Sequence, residues 1–136
     1  MMSAKPPFED PAATRPYYRL LGIKALGQDE NGNYPLELAS QPKFENSRGE
    51  IHGGVVASLL DAAIGVAVRA SYPFKTGATT ASITVNYVSP GRVKLIATGH
   101  VLRAGGSLAS AEAKVVDDSG QLVAHAVGTM KILKPR

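Results

Sequence analysis

The hydrophobic positions of this chain change period part-way along it. Over residues 53–72 (GGVVASLLDAAIGVAVRASY), Val55, Val56, Leu59, Leu60, Ala63, Ile64, Ala67 and Val68 cover most of a helix circumference, and Pro73 ends the run. A helix apolar on nearly every side is a buried one. Over residues 79–88 the pattern alternates instead. Ile83, Val85 and Tyr87 point one way and Thr80, Ser82, Thr84 and Asn86 the other, as in a half-buried strand. Residues 92–103, 107–116 and 121–133 read as three more strands, broken by Gly105-Gly106 and by a turn at 117–120 (DDSG). In the last strand Leu122, Ala124, Ala126, Met130 and Ile132 share a face, opposite Gln121, His125, Thr129 and Lys131.

Ahead of the long helix, residues 16–22 (PYYRLLG) predict a short helix ending at Gly22. Residues 23–28 and 34–44 then predict a hairpin around the Asn31-Gly32 turn, its second strand kinked at Pro42. A polar loop follows at 45–50 (ENSRGE). The expected fold is α+β: strands, one central helix, then four strands joined by short turns. Short turns predict an antiparallel meander, and a single buried helix must be wrapped by that curved sheet.

Length and composition narrow this little further. The chain has 136 residues, enough for one domain and its core. Residues 1–15 read as a flexible, proline-rich arm and 16–136 as the domain. With 44% hydrophobic and 19% charged residues, the chain is not of a disordered kind. It contains no cysteine, which excludes a disulfide scaffold, a cysteine nucleophile and a thiolate metal site, and fits a cytoplasmic protein. The first residues lack a signal-peptide pattern, and no window holds the roughly 20 apolar residues of a membrane span. Net charge is +4, with loose basic groups at Arg92 and Lys94, at Arg103 and over 131–136. These are solvated edges or contacts to a phosphorylated small molecule. No nucleic-acid-binding signature accompanies them. Neither metal-ligand spacing nor a cofactor motif is present.

The chemistry-bearing residues lie around the helix. Asp61 sits in its apolar middle, where an ionised carboxylate shifts its pKa or finds partners. It either lies on a narrow polar stripe with Ser58 and Gly65 or serves as a base or nucleophile. His52-Gly53-Gly54 opens the helix. Glycines are poor helix formers there but let another molecule approach the backbone, whose free amides suit an oxygen acquiring negative charge. The helix start disfavours a charged His52, so a structural role bonded to the backbone is the preferred reading. Gly53 and Asp61 are separated by about 12 Å along one helix. One carbonyl cannot touch both, so joint action requires two chains related by a two-fold axis.

The stretch Asn46…His52-Gly53-Gly54 followed by Asp61 resembles the hotdog-fold acyl-CoA thioesterases of the phenylacetate-degradation (PaaI) type. The likeness continues through residues 81–90 (ASITVNYVSP) and covers about 17–133. It implies that Gly53 donates its amide to the thioester oxygen. Asp61 of a partner chain would activate water or attack the carbonyl. Asn46 would orient water or thioester, Thr80 would hydrogen-bond near the acid, and His52 would support the loop. It further implies an acyl-CoA substrate with CoA held at the subunit boundary, to which Arg103, Gly105 and Gly106 contribute, beside Gly54. The acyl pocket is expected from Leu59, Leu60, Ile64 and strand residues of both chains. The implied assembly is a homotetramer with a homodimer as its minimal unit, and no membrane or nucleic-acid partner is implied. Two other readings stand beside hydrolysis. One is a hotdog dehydratase or hydratase, which commonly needs a histidine–acid pair that His52 is not set to provide. The other is a non-catalytic acyl-CoA-binding module.

Overall fold

The computed structural model describes residues 15–73 and 75–134. The elements run α1 (Pro16–Leu21), β1 (Lys24–Ala25), β2 (Leu36–Ala39), a 3-10 turn (Pro42–Phe44), α2 (Gly53–Ala70), β3 (Gly77–Tyr87), β4 (Lys94–Ala104), β5 (Leu108–Asp117) and β6 (Leu122–Leu133). Of the expected arm, residues 1–14 lie outside the described residues.

One antiparallel sheet holds all six strands in the order β1-β2-β4-β5-β6-β3. This corrects the expected four-strand meander. β4, β5 and β6 do follow one another, but β3 pairs with β6 rather than with β4. The connection at residues 88–93 crosses the end of the sheet instead of turning back. Ile51 donates to the Gly91 carbonyl at 2.9 Å and Ser40 to the Val93 carbonyl at 2.7 Å along the way. Six extended residues reach about 20 Å, while three strand spacings need only about 14 Å. A short connection therefore does not force neighbours to pair.

The early hairpin forms with shorter strands than expected. Lys24 pairs with Glu37 and Ala25 with Leu36. Asp29 Oδ1 accepts the amides of Asn31 and Asn33, both at 2.9 Å, and so builds the turn between the strands. Pro42 does not kink β2. It opens the 3-10 turn after β2 has ended, because a proline has no amide for the ladder.

The helix α2 is long and apolar enough, by length and composition, to cross a membrane. Here it is the core helix. Val56, Leu59, Leu60, Ala62, Ala63, Ile64, Val66 and Val68 are all buried against the sheet. The sheet meets it with small residues: Ala97 and Gly99 on β4, Ala109, Ala111 and Ala113 on β5, and Ala124, Ala126 and Gly128 on β6. Small side chains bring the helix axis close to the sheet. At Gly99 the approach is closest: a Cβ there would overlap the Ala63 carbonyl and lie 3.0 Å from the Ala67 Cβ.

Two β-bulges shift the expected faces. On β3, Thr80 pairs with Met130 and Ser82 with Thr129, so Ala81 is the extra residue. Thr80 thereby joins the buried Met130 on the helix-facing side, instead of sharing the outer face with Ser82. On β6, Val115 pairs with Ala124 and Val116 with Leu122, which makes Val123 the extra residue. Val123 is buried and Leu122 is exposed, the reverse of strict alternation.

Gly99→Ala is expected to lower stability by about 2–3 kcal/mol, the range of an overpacked core, because the atoms it meets are helix backbone. Urea unfolding measures this. A variant as stable as the parent would show that the helix does not need this close approach.

Candidate active site

The polar loop before α2 is organised by Asn46. Its Oδ1 accepts the amides of Arg48 (2.9 Å) and Glu50 (3.1 Å), and its Nδ2 donates to the Glu50 carboxylate at 3.3 Å. Gly49, at φ 73°, lets the chain turn inside this loop. Glu50 also accepts from Arg48 Nε at 3.1 Å and from Arg92 Nη2 at 3.2 Å. That ties the loop to the β3–β4 connection. The Asn46 hydrogen bond, with help from the two guanidiniums, holds the Glu50 carboxyl below its ordinary pKa. Most of the Asn46 amide is spent on the loop, and one N–H remains for other work.

His52 precedes the first helical residue in extended conformation, φ −53° and ψ 140°. The expected bond to the backbone comes from its main chain: its N–H donates to Phe44 at 2.8 Å, and its carbonyl accepts from Val55 and Val56. The imidazole is exposed and caps nothing. Gly53 and Gly54 form the first helical positions, and their N–H groups meet no acceptor among the described residues. Two adjacent unfilled amides at the positive end of an 18-residue helix favour a negatively charged oxygen.

This helix start opens on a cavity of about 340 Å³ lined in part by Asn46, Arg48, Glu50, Gly53, Val56 and Tyr87. The Tyr87 hydroxyl donates to the Gly53 carbonyl at 2.6 Å, and the Tyr87 ring lies where a Cβ on Gly53 would be 3.2 Å away. An alanine at 53 would thus press on the ring.

Asp61 lies two turns further along α2, half-buried and outside that cavity. Thr80 donates its hydroxyl to Asp61 Oδ1 at 2.6 Å, a short charge-assisted hydrogen bond. The bulge at Ala81 is what turns Thr80 toward the helix. On the far side of Asp61 the stripe continues through Gly65 to Arg69. Gly65 leaves the room in which the guanidinium lies: a Cβ there would be 3.2 Å from Arg69 Nη1. Burial, with Arg15 adding to it, pushes Arg69 down to about 10, and it stays cationic at neutral pH. Burial first, then the charge of Asp61, raises the Tyr18 phenol. Asp61 therefore accepts from the Thr80 hydroxyl and lies near enough to Arg69, and to Tyr18 of α1, for its charge to act on both.

The structure brings Thr80 to Asp61, and Asn46 to the helix start that carries Gly53 and Gly54. It does not bring these two groups together within one chain. Leu60 and Ile64 depart from the expected acyl contacts. They are 0% and 1% exposed because they fill the core between helix and sheet, and they present no surface to a ligand. Arg103 and Gly106 are exposed near the β4–β5 turn. Gly105 departs from the expected backbone contact, since its N–H donates to Leu108 and its carbonyl accepts the Tyr72 hydroxyl at 2.6 Å. Sequence reasoning missed Tyr87, Glu50 and Arg69. Two of them left a signal. Tyr87 shares the helix-facing parity of Ile83 and Val85, and Arg69 follows Asp61 and Gly65 at helical spacing.

Residues 48–124 match the family model of the thioesterase superfamily. A Halobacterium salinarum protein provisionally named an esterase is 37% identical over 101 residues, 71% of this chain and 66% of that relative's length. Human acyl-coenzyme A thioesterase 13 is 29% identical over 116 residues, 82% of this chain and 81% of its own. A Bacillus halodurans protein solved with CoA superposes with a TM-score of 0.81 at 30% identity, over 88% of this chain and 80% of that one. The Escherichia coli PaaI protein from the phenylacetic acid degradation operon has the same fold, with a TM-score of 0.81 at 22% identity over 90% and 88% of the two chains. With a single core helix wrapped by a curved six-stranded sheet and a family match across most of that unit, this hotdog-fold chain belongs to the thioesterase superfamily.

Proposed function

We propose that this thioesterase hydrolyses acyl-CoA thioesters at two equivalent sites, each shared between two chains. The observation that carries the reading is the pairing on one helix of unfilled amides at Gly53 and Gly54 with a hydroxyl-anchored carboxylate at Asp61. In each site the Gly53 amide receives the thioester oxygen. Asp61 of the partner subunit takes a proton from water as the water oxygen bonds to the carbonyl carbon. The tetrahedral oxyanion rests on the helix amides, where preorganised donors act most strongly. The carbon–sulfur bond then breaks, and the thiolate leaves with the proton from the acid. Direct attack by the carboxylate, followed by hydrolysis of the anhydride, uses the same groups. Asn46 keeps one N–H for the water or thioester. Arg103 and the open Gly106 amide are the candidate CoA contacts. A CoA-bound structural relative and acyl-CoA thioesterase relatives support this substrate class.

The sheet supports sharing of the site. β3 is an edge strand of 11 residues with β6 on one side only among the described residues. Its free edge is a template for another strand. A second copy of β3, antiparallel about a two-fold axis, would set the two α2 helices antiparallel. The Tyr87 end of each strand would then approach the Thr80 end of the other, carrying Gly53 toward the second copy's carboxylate. Among the described residues no acid pairs with His52, and the histidine–acid pair present, His125 Nε2 with Glu112 Oε1 at 3.1 Å, lies across β5 and β6 instead, which favours hydrolysis over dehydration.

Two outcomes are expected. Asp61→Asn lowers kcat for thiol release from a phenylacetyl-, hydroxybenzoyl-, hexanoyl- and lauroyl-CoA panel by about 10²–10⁴-fold, the range of general-base catalysis, with an unchanged circular dichroism spectrum. A folded variant within a few-fold of the parent would refute the assignment. Thr80→Val lowers kcat about ten-fold, the scale of a lost hydrogen bond to a charged group, and Thr80→Ser restores it. Equal activity of the valine and serine variants would remove Thr80 from the account.

A further inference from the structure

We propose that Tyr87, seconded by Ser58 and Tyr17, is a positioning residue that aims the Gly54 amide as a second oxyanion donor. The inference rests on the thioesterase reading above. Its starting point is a difficulty. Two consecutive glycines have the widest backbone freedom of any dipeptide, and they are poor helix formers. A donor pair for a developing oxyanion has to hold its geometry to within about 0.5 Å. Something beyond helix propensity must therefore fix this turn.

The hydrogen bonds show how each peptide plane is held. The Gly53 N–H shares its peptide with the His52 carbonyl, which accepts from Val55 at 3.0 Å and from Val56 at 3.1 Å. The backbone alone fixes that plane. The Gly54 N–H shares its peptide with the Gly53 carbonyl, and the Tyr87 hydroxyl donates to that oxygen at 2.6 Å. A donor on the carbonyl both orients the plane and polarises the amide on its other side. The Tyr87 ring rests against Gly53, so the hydroxyl is held from below by packing.

The next carbonyl is fastened in the same way from the opposite side. Ser58 Oγ donates to the Gly54 carbonyl at 2.9 Å. A serine hydroxyl has one hydrogen, so in its 2.7 Å contact with Tyr17 the tyrosine is the donor. The relay runs from Tyr17 on α1 through Ser58 to Gly54. Two successive carbonyls of the glycine turn thus each receive a side-chain hydroxyl, one delivered from β3 and one backed by α1. Neither hydroxyl touches the carboxylate or fills the free amides. Their effect reaches a substrate only through the Gly54 peptide and its neighbour.

The test compares Tyr87→Phe, Ser58→Ala and Ser58→Thr with the parent. Tyr87→Phe keeps the ring and removes the donor. It is expected to lower kcat about ten-fold, a fraction of the effect of deleting an oxyanion donor, with KM for acyl-CoA unchanged within about two-fold. Ser58→Ala lowers kcat by a smaller factor, and Ser58→Thr, which keeps the hydroxyl, restores it. Nitrogen-15 relaxation is measured alongside, and the Gly54 amide order parameter should fall in Tyr87→Phe. An unchanged kcat in Tyr87→Phe, or a loss carried by KM alone, overturns the proposal. If the parent itself releases no thiol, the thioesterase reading fails instead. The order parameter then decides: a Gly54 amide as rigid in Tyr87→Phe as in the parent overturns the positioning role, and a loosened one upholds it.

Discussion

Where helix α2 crosses strand β4, the Ala63 carbonyl occupies the space that any side chain at residue 99 would need. This close approach of helix to sheet governs much of what surrounds it. It requires glycine at 99, and alanines and a glycine across the neighbouring inner faces of β4, β5 and β6. It fixes the depth of the helix, and with it the height of the glycine turn above the end of the sheet. It also commits Leu60 and Ile64 to the core. A larger residue on the sheet would lift the helix and move the Gly53 amide and the Asp61 carboxylate together.

The second determinant is the position of β3 at the edge. Because β3 joins β6 rather than β4, its ends touch both halves of the chemistry. Tyr87 at one end holds the glycine turn, and Thr80 toward the other holds Asp61. The bulge at Ala81 makes the second contact possible by rotating Thr80 to the helix side. The edge strand is thus both the anchor of the two groups within a chain and the free surface along which a second chain would add. Electrostatics follow the same division. The helix start carries the two unfilled amides, while the middle of the helix sets Asp61 against the Thr80 hydroxyl, with its charge acting on the half-buried Arg69.

Much of this was legible in the residue pattern. The all-round apolarity of 53–70 announced a wrapped helix, and the spacing of Asn46, His52, Gly53, Gly54 and Asp61 marked both ends of the candidate site. Strand order was not legible, since a six-residue connection is long enough to cross the sheet end or to turn back, and local sequence does not say which. Thr80 was singled out by resemblance, yet alternation put it on the wrong face. A bulge inserts one residue without any mark in the hydrophobic pattern. Leu59, Leu60 and Ile64, expected at the acyl group, lie buried in the core of the chain: on a helix apolar all round, sequence does not separate the core-facing side from the ligand-facing one. Tyr87 and Arg69 were readable in phase with their neighbours, but their partners, a backbone carbonyl and a space left by Gly65, appear only in three dimensions.

The central claim is that one site draws its amide from one chain and its carboxylate from another. The most direct measurement co-expresses Asp61→Asn and Gly53→Ala chains carrying different tags and isolates the mixed assemblies. Each parent variant alone should release thiol from acyl-CoA slowly. The two-fold arrangement predicts that every mixed dimer regains one of its two sites, so that the isolated mixed dimers recover about half of the wild-type rate. A mixed population no more active than the average of its parents would contradict the shared site and place the whole reaction within a single chain.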